Sequence, residues 1–133
     1  MNCTIYHNPQ CGTSRNALAM LRASGENPSI IEYLKKPLHA SEIKQLLEKL
    51  NVGVRSILRE KGTLYAELGL DDDKLSDKEL IAFIEKYPIL LNRPIVITDR
   101  GAKLCRPSEE VISLLVKPLP KDFVKGDGKP PTV

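Results

Sequence analysis

Residues His7 to Arg15, HNPQCGTSR, place a single cysteine just where a helical pattern, NALAML, begins. The first N–H groups of a helix have no partner within it, and the aligned peptide dipoles make that end electropositive. A thiolate at Cys11 would be stabilised there, and so would a bound oxyanion. Bringing a thiol from its ordinary pKa near ~8.5 to ~7 takes about 2 kcal/mol of differential stabilisation. An exposed helix terminus supplies only ~0.3–1 kcal/mol, so arginines from elsewhere in the chain must converge on Cys11.

Most free cysteines are small buried hydrophobes. Gln10, Gly12, Thr13 and Ser14 around Cys11 are small or polar, which favours a reactive thiol instead. Cys3 lies in an apolar strand pattern and Cys105 ends another, so packing explains both. An internal redox pair would need a second cysteine three residues on, and that position is Ser14. An external thiol, glutathione or a small redox protein, must therefore release whatever Cys11 captures. The C-x5-R phosphate loop of cysteine phosphatases is absent, since the residue six after Cys11 is Ala17. Ser14 and the N–H groups of Gly12, Thr13 and Ser14 are candidate donors to the thiolate or oxyanion, with helix capping as a second use for Ser14. His7, four residues before Cys11, is a candidate for orienting the site or for moving a proton.

The elements that must hold these groups follow from periodicity. Cys3 to His7 reads as a strand, about Thr13 to Ser24 as a helix closed by Gly25, and Ile30 to Leu34 as a second strand. This βαβ unit predicts two parallel strands with a right-handed crossover. A helix is expected over Ser41 to Leu50, short helical turns over Arg55 to Arg59 and Tyr65 to Leu68, and a helix opened by the capping box Ser76/Glu79 and closed by Pro88. Ile95 to Thr98 and Ala102 to Cys105 flank Asp99-Arg100-Gly101, which reads as a three-residue hairpin, and Pro107 opens a final helix. The order is β-α-β, helices, β-β-α.

The 133 residues suit one domain, expected over 1–116, and the apolar share of 41% is ordinary for a globular chain. From Lys117 to Val133 periodicity vanishes and proline, glycine and lysine accumulate, so 117–133 is expected as a flexible tail. That tail holds four lysines against Asp122 and Asp127, leaving about +1 of the net +3 on the body. Such a nearly neutral body argues against binding nucleic acid. No signal-peptide pattern or membrane-length apolar run occurs, and three cysteines with no C-x-x-C indicate neither a disulfide framework nor a zinc site. A cytoplasmic protein with reduced thiols is expected, bound neither to membrane nor to metal.

HNPQCGTSRN, LNRPIVIT at Leu91 to Thr98 and LCRPSE at Leu104 to Glu109 together resemble the glutaredoxin-linked arsenate reductase family, in its order and across residues 3 to about 116. The resemblance implies a thioredoxin-like α/β fold, a mixed sheet of about four strands with an inserted helical portion. It implies that Cys11 attacks arsenate, that glutathione attacks the thiol-arsenate adduct, and that glutaredoxin reduces the mixed species before arsenite leaves. No tightly bound cofactor is implied, glutathione being a co-substrate, and a monomer is the expected state. The family's anion-binding arginines fall on Arg59, Arg93 and Arg106; for Arg59, spacing alone does not choose it over Arg55, and the resemblance does. Arginine suits this role because its planar fork matches two oxygens of a tetrahedral oxyanion. Arg93 precedes Pro94, where the resemblance implies a cis proline facing the cysteine. Two other readings share the superfamily. Spx-type regulators bind RNA polymerase but typically carry the C-x-x-C that Ser14 breaks here, and a thiol reductase paralogue would keep Cys11 and use another acceptor.

Overall fold

The computed structural model describes residues 3–132, so Val133 of the expected tail lies outside the described residues. The chain forms two compact units, one made of the segments up to Glu32 and from Arg93 onward, the other of Tyr33–Asn92.

The first unit holds the whole sheet. Its strands are β1 (Thr4–Tyr6), β2 (Ser29–Ile31), β3 (Ile95–Thr98) and β4 (Gly101–Leu104), in the order β2-β1-β3-β4. β1 runs parallel to β2 and antiparallel to β3, and β3 is antiparallel to β4. The sheet is mixed, as expected, and the parallel pair is the one joined through helix α1 (Gly12–Ala23). In α1 the residues Ala17, Leu18, Met20 and Leu21 are buried, forming an apolar stripe at helical spacing. They pack with Cys3, Ile5, Val96, Cys105, Val111 and Leu114 in one core.

Besides β2, which ends at Ile31 and leaves Leu34 in a turn rather than in the expected strand, three details depart from the sequence reading. Thr98 pairs with Gly101, so the hairpin loop is the two residues Asp99 and Arg100, and Gly101 takes a left-handed φ of 138° within β4. Glycine tolerates that conformation without a Cβ penalty. The final helix is a 3-10 segment, Ser108–Leu114, with Val111 and Leu114 buried. The third departure is in residues 118–132, which composition marks as a loose tail and which lie on this unit. Leu119 and Phe123 pack against the core, Lys125 Nζ donates to Glu109 Oε2 at 3.0 Å, and the Gly126 N–H donates to Asn16 Oδ1 at 3.1 Å. Two apolar residues and one well-placed ion pair hold the segment in place.

The second unit contains the inserted helices. α2 (Ala40–Leu50) packs on α3 (Asp77–Lys86), burying Ile43 and Leu46 on one side and Leu80, Ile81 and Ile84 on the other. Ser76 caps α3 as expected: its Oγ accepts the Glu79 N–H at 3.1 Å, while Glu79 Oε1 accepts the Ser76 N–H. A 3-10 segment, Val54–Ile57, lies between them, and Leu58 forms an isolated antiparallel bridge with Leu91.

The tail's tie is pH-sensitive. Lys125 beside Glu109 holds that carboxyl down to about 2, with Thr132 adding hydrogen bonds. A carboxyl depressed in the folded state stabilises the fold above its unfolded pKa and loses that contribution as pH falls through the folded value. The stability gap between the parent and Glu109→Gln should therefore be full near about pH 6 and close as pH falls from about 4.5 toward 2, as followed by thermal melts. A gap independent of pH over that range would show that the ion pair is not what ties the tail.

Candidate active site

The strand register gathers the candidate groups at one end of the sheet. Tyr6, the last residue of β1, pairs with Ile95, the first of β3, and Ile95 pairs with Leu104, the last of β4. The Cys105 N–H donates to the Pro94 carbonyl at 2.9 Å, extending that pairing by one step. The loop 7–11 leaving β1, Arg93 entering β3 and Arg106 leaving β4 therefore emerge side by side. Antiparallel pairing is what converts residues about 90 positions apart into neighbours.

Cys11 occupies the N-cap of α1 with extended backbone, and its carbonyl accepts the Arg15 N–H at 2.9 Å. The residue is 8% exposed, so the thiol is close to the surface yet mostly desolvated. Burial pushes the Cys11 thiol up, but hydrogen bonds from the Ser14 N–H and the Arg106 guanidinium, the charge of Arg93 and the Thr13 N–H together outweigh it and leave its pKa below the ordinary value. The Arg106 Nη1 donates to Cys11 Sγ at 3.7 Å and to the Arg93 carbonyl at 3.0 Å. That second bond fixes one arginine against the backbone of the other. Cys3 and Cys105 behave oppositely: burial raises them to about 11 and about 12, keeping both as neutral thiols.

Ser14 is fully buried, and its side chain faces the loop. Its Oγ accepts the Asn8 N–H at 3.1 Å and lies 2.6 Å from Nδ1 of His7. Burial lowers the His7 pKa, followed by the opposing charge of Glu32 and the lowering charges of Arg22 and Arg15, so the ring is held neutral. That short contact orients the ring on the Ser14 hydroxyl. His7 thus meets the site through Ser14. Gly12 is exposed and Thr13 half-buried in the first turn.

Two residues that sequence reasoning missed also shape the loop. Asn8 is buried; its Oδ1 accepts the Gln10 N–H at 2.9 Å and its carbonyl accepts the Cys11 N–H at 3.0 Å. This is an Asx turn that delivers Cys11 to the helix start, and an Asn two residues before Gln10 is the sequence signal for it. Arg15 Nη1 donates to the Pro9 carbonyl at 2.8 Å, closing the same loop from α1.

Arg59 belongs to the second unit, where its N–H pairs with the Leu90 carbonyl at 2.7 Å and its Nε donates to the Lys61 carbonyl at 3.0 Å. Arg55 serves the local fold, since its Nη1 and Nη2 donate to the carbonyls of Leu70 and Asp72 at 2.8 and 2.7 Å and clamp the 70–72 turn.

The site is a desolvated thiol facing two backbone N–H groups and the Arg106 guanidinium, within the field of the Arg93 charge, a setting suited to a thiolate and to an oxyanion beside it. Among the described residues, no cluster of His, Cys, Asp and Glu is placed to hold a metal ion, and no helix is long and apolar enough to cross a membrane. A model of the family described as ArsC matches residues 6–114. The chain belongs to the ArsC family. It is 48% identical over 128 residues to an arsenate reductase of Acidiphilium multivorum, covering 96% of this chain and 91% of that relative. An Escherichia coli K12 arsenate reductase is 49% identical, with the same coverage. A solved arsenate reductase from Vibrio cholerae aligns with a TM-score of 0.82 at 41% identity, over 86% of this chain and 98% of that one. The α/β class with a mixed four-stranded sheet, thioredoxin-like as in other ArsC structures, is therefore the class of this chain.

Removing one cation should expose the electrostatic balance at Cys11. In Arg106→Met the midpoint of Cys11 alkylation by iodoacetamide should move to higher pH, because the group that favours the thiolate is gone. Cys3 and Cys105 should stay unmodified until the protein unfolds. A midpoint equal to the parent's would mean that Arg106 does not tune the thiol.

Proposed function

We propose that this protein reduces arsenate to arsenite, with Cys11 as the nucleophile and glutathione and glutaredoxin as the sources of reducing thiols. The observation that carries the reading is Cys11 itself: a thiol whose pKa is held down, at a helix start, against Arg106 and Arg93. The names of relatives about 48% identical over nearly the whole chain supply the substrate.

Each step follows from the groups present. The Cys11 thiolate adds to arsenic(V), an S–As bond forms, and one arsenate oxygen leaves as water. The N–H groups of Thr13 and Ser14 and the forks of Arg93 and Arg106 are suited to bear the oxyanion charge as it moves between the remaining oxygens. Arg59 is assigned as the third anion-binding arginine. His7 positions Ser14 and acts on the thiolate through it. Glutathione then adds its sulfur to the arsenic of the adduct and displaces a second oxygen as water.

Glutaredoxin's thiolate attacks the glutathione sulfur, forming an S–S bond and leaving the electron pair of the broken S–As bond on arsenic, now arsenic(III). Water cleaves the Cys11–arsenic(III) bond, releasing arsenite and restoring the thiol. Over the cycle one arsenate, one glutathione and one glutaredoxin thiol give arsenite, a glutathionylated glutaredoxin and water. Both electrons come from thiols, so the reaction calls for no resident cofactor. Cys11 cannot form an intramolecular disulfide with position 14, which is serine, and this is the chemical reason for two external thiols. Such a cycle suits the reducing conditions of a cytoplasm.

The test is arsenate-dependent NADPH oxidation with glutathione, glutaredoxin and glutathione reductase. The parent should turn over and Cys11→Ser should lose turnover to background. A parent without turnover, or a variant that retains it, would overturn the reading.

A further inference from the structure

The C-terminal segment and Glu109 have no part in the chemistry above, yet their contacts lead back to it. We infer that Glu109 is a positioning residue: with residues 125–132 as a strap, it fixes the Arg106 loop against the start of α1 and so sets the contact between Arg106 and Cys11. The inference rests on the reading of Cys11 as the nucleophile.

Glu109 is a charged group in a nearly closed place, its side chain only 11% exposed and that of Lys125 only 16%. Its Oε2 accepts from Lys125 Nζ at 3.0 Å, from the Thr132 N–H at 3.2 Å and from the Thr132 hydroxyl at 2.9 Å. Its Oε1 accepts from the Ser108 hydroxyl at 3.0 Å. A surface carboxylate with a single ion pair contributes little. One with four donors on two carboxylate oxygens, three of them from a distant segment, is a fixed junction.

The strap has a second anchor. Lys125 is followed by Gly126, whose N–H donates to Asn16 Oδ1 at 3.1 Å. Its turn is closed by the Lys125 N–H to the Lys129 carbonyl and the Gly128 N–H to the Lys125 carbonyl. A Cβ at Gly126 would meet Asn16 Oδ1 at 3.3 Å, so backbone and side chain approach closely there. The Lys125–Gly126 end of the strap thus ties Glu109, three residues after Arg106, to Asn16, five residues after Cys11, and Thr132 at the other end returns to Glu109. The guanidinium of Arg106, three residues before Glu109, reaches Cys11 Sγ at 3.7 Å. A sequence separation of 95 residues leaves that distance to tertiary ties, and the strap joins the two elements directly.

The sign of the effect separates positioning from direct electrostatics. Deleting a carboxylate near a thiol lowers the thiol's pKa by simple charge removal. If Glu109 instead holds Arg106 in place, deleting it weakens the Arg106 contact and raises the Cys11 pKa. In Glu109→Ala the midpoint of Cys11 alkylation should rise by about half a pH unit, roughly a threefold loss of thiolate below the midpoint. Asn16→Ala, which changes no charge, should also raise it and keeps the test available if Glu109→Ala folds poorly. The measurement is made well below each variant's melting temperature and needs neither arsenate nor glutathione. A parent that failed to reduce arsenate would therefore strike the functional reading without touching this comparison. A midpoint unchanged or lowered in folded Glu109→Ala, or unchanged in folded Asn16→Ala should the former not fold, would overturn the inference.

Discussion

The site depends on keeping a thiolate at a place that burial disfavours. Desolvation is the largest influence on Cys11 and acts against the charged form, so its acidity is the sum of several weaker opposing contacts. Two of these come from the backbone of the turn that starts α1, and two from arginines that precede cis prolines at neighbouring strand ends, Arg93-Pro94 and Arg106-Pro107. Loss of register at β3 would scatter them together. The sheet is therefore part of the chemistry: four short strands suffice because their main role is to bring three chain segments to one end.

Around that thiol the hydrogen bonds form a closed loop of small ties. Asn8 shapes the approach to Cys11, Ser14 joins the loop to His7, Arg15 returns to Pro9, and Arg106 rests on the Arg93 carbonyl. Each ordinary hydrogen bond contributes only about 0.5–1.5 kcal/mol net. Their joint effect is preorganisation, since a thiolate and an oxyanion bind best to donors that need no rearrangement. The contrast with Cys105 makes the point. It is fully buried without compensating donors of this number, and burial leaves it a neutral thiol pushed up to about 12.

Local features of the chain are legible in its residues. The start of α1 at Cys11, the Ser76/Glu79 capping box and the parallel βαβ pair each follow from neighbouring positions, and each is present. Convergence of arginines on Cys11 follows from energetics, because a helix terminus alone is too weak. Which arginines they are does not, because the Arg93–Arg106 pairing depends on the β3–β4 register. The hairpin differs by one residue from its sequence pattern because Gly101 fits a turn position and a left-handed strand position equally well. The tail has the composition of a loose segment because its ties are long-range: nothing near Lys125 in sequence announces Glu109.

Everything proposed for the chemistry turns on whether Cys11 becomes bonded to arsenic. X-ray absorption at the arsenic edge of the parent protein equilibrated with arsenate examines that bond without a coupled assay. One sulfur should stand among the arsenic ligands of the protein-bound fraction, and it should be absent in Cys11→Ser. Arsenic bound to the parent through oxygen alone would contradict the proposed mechanism.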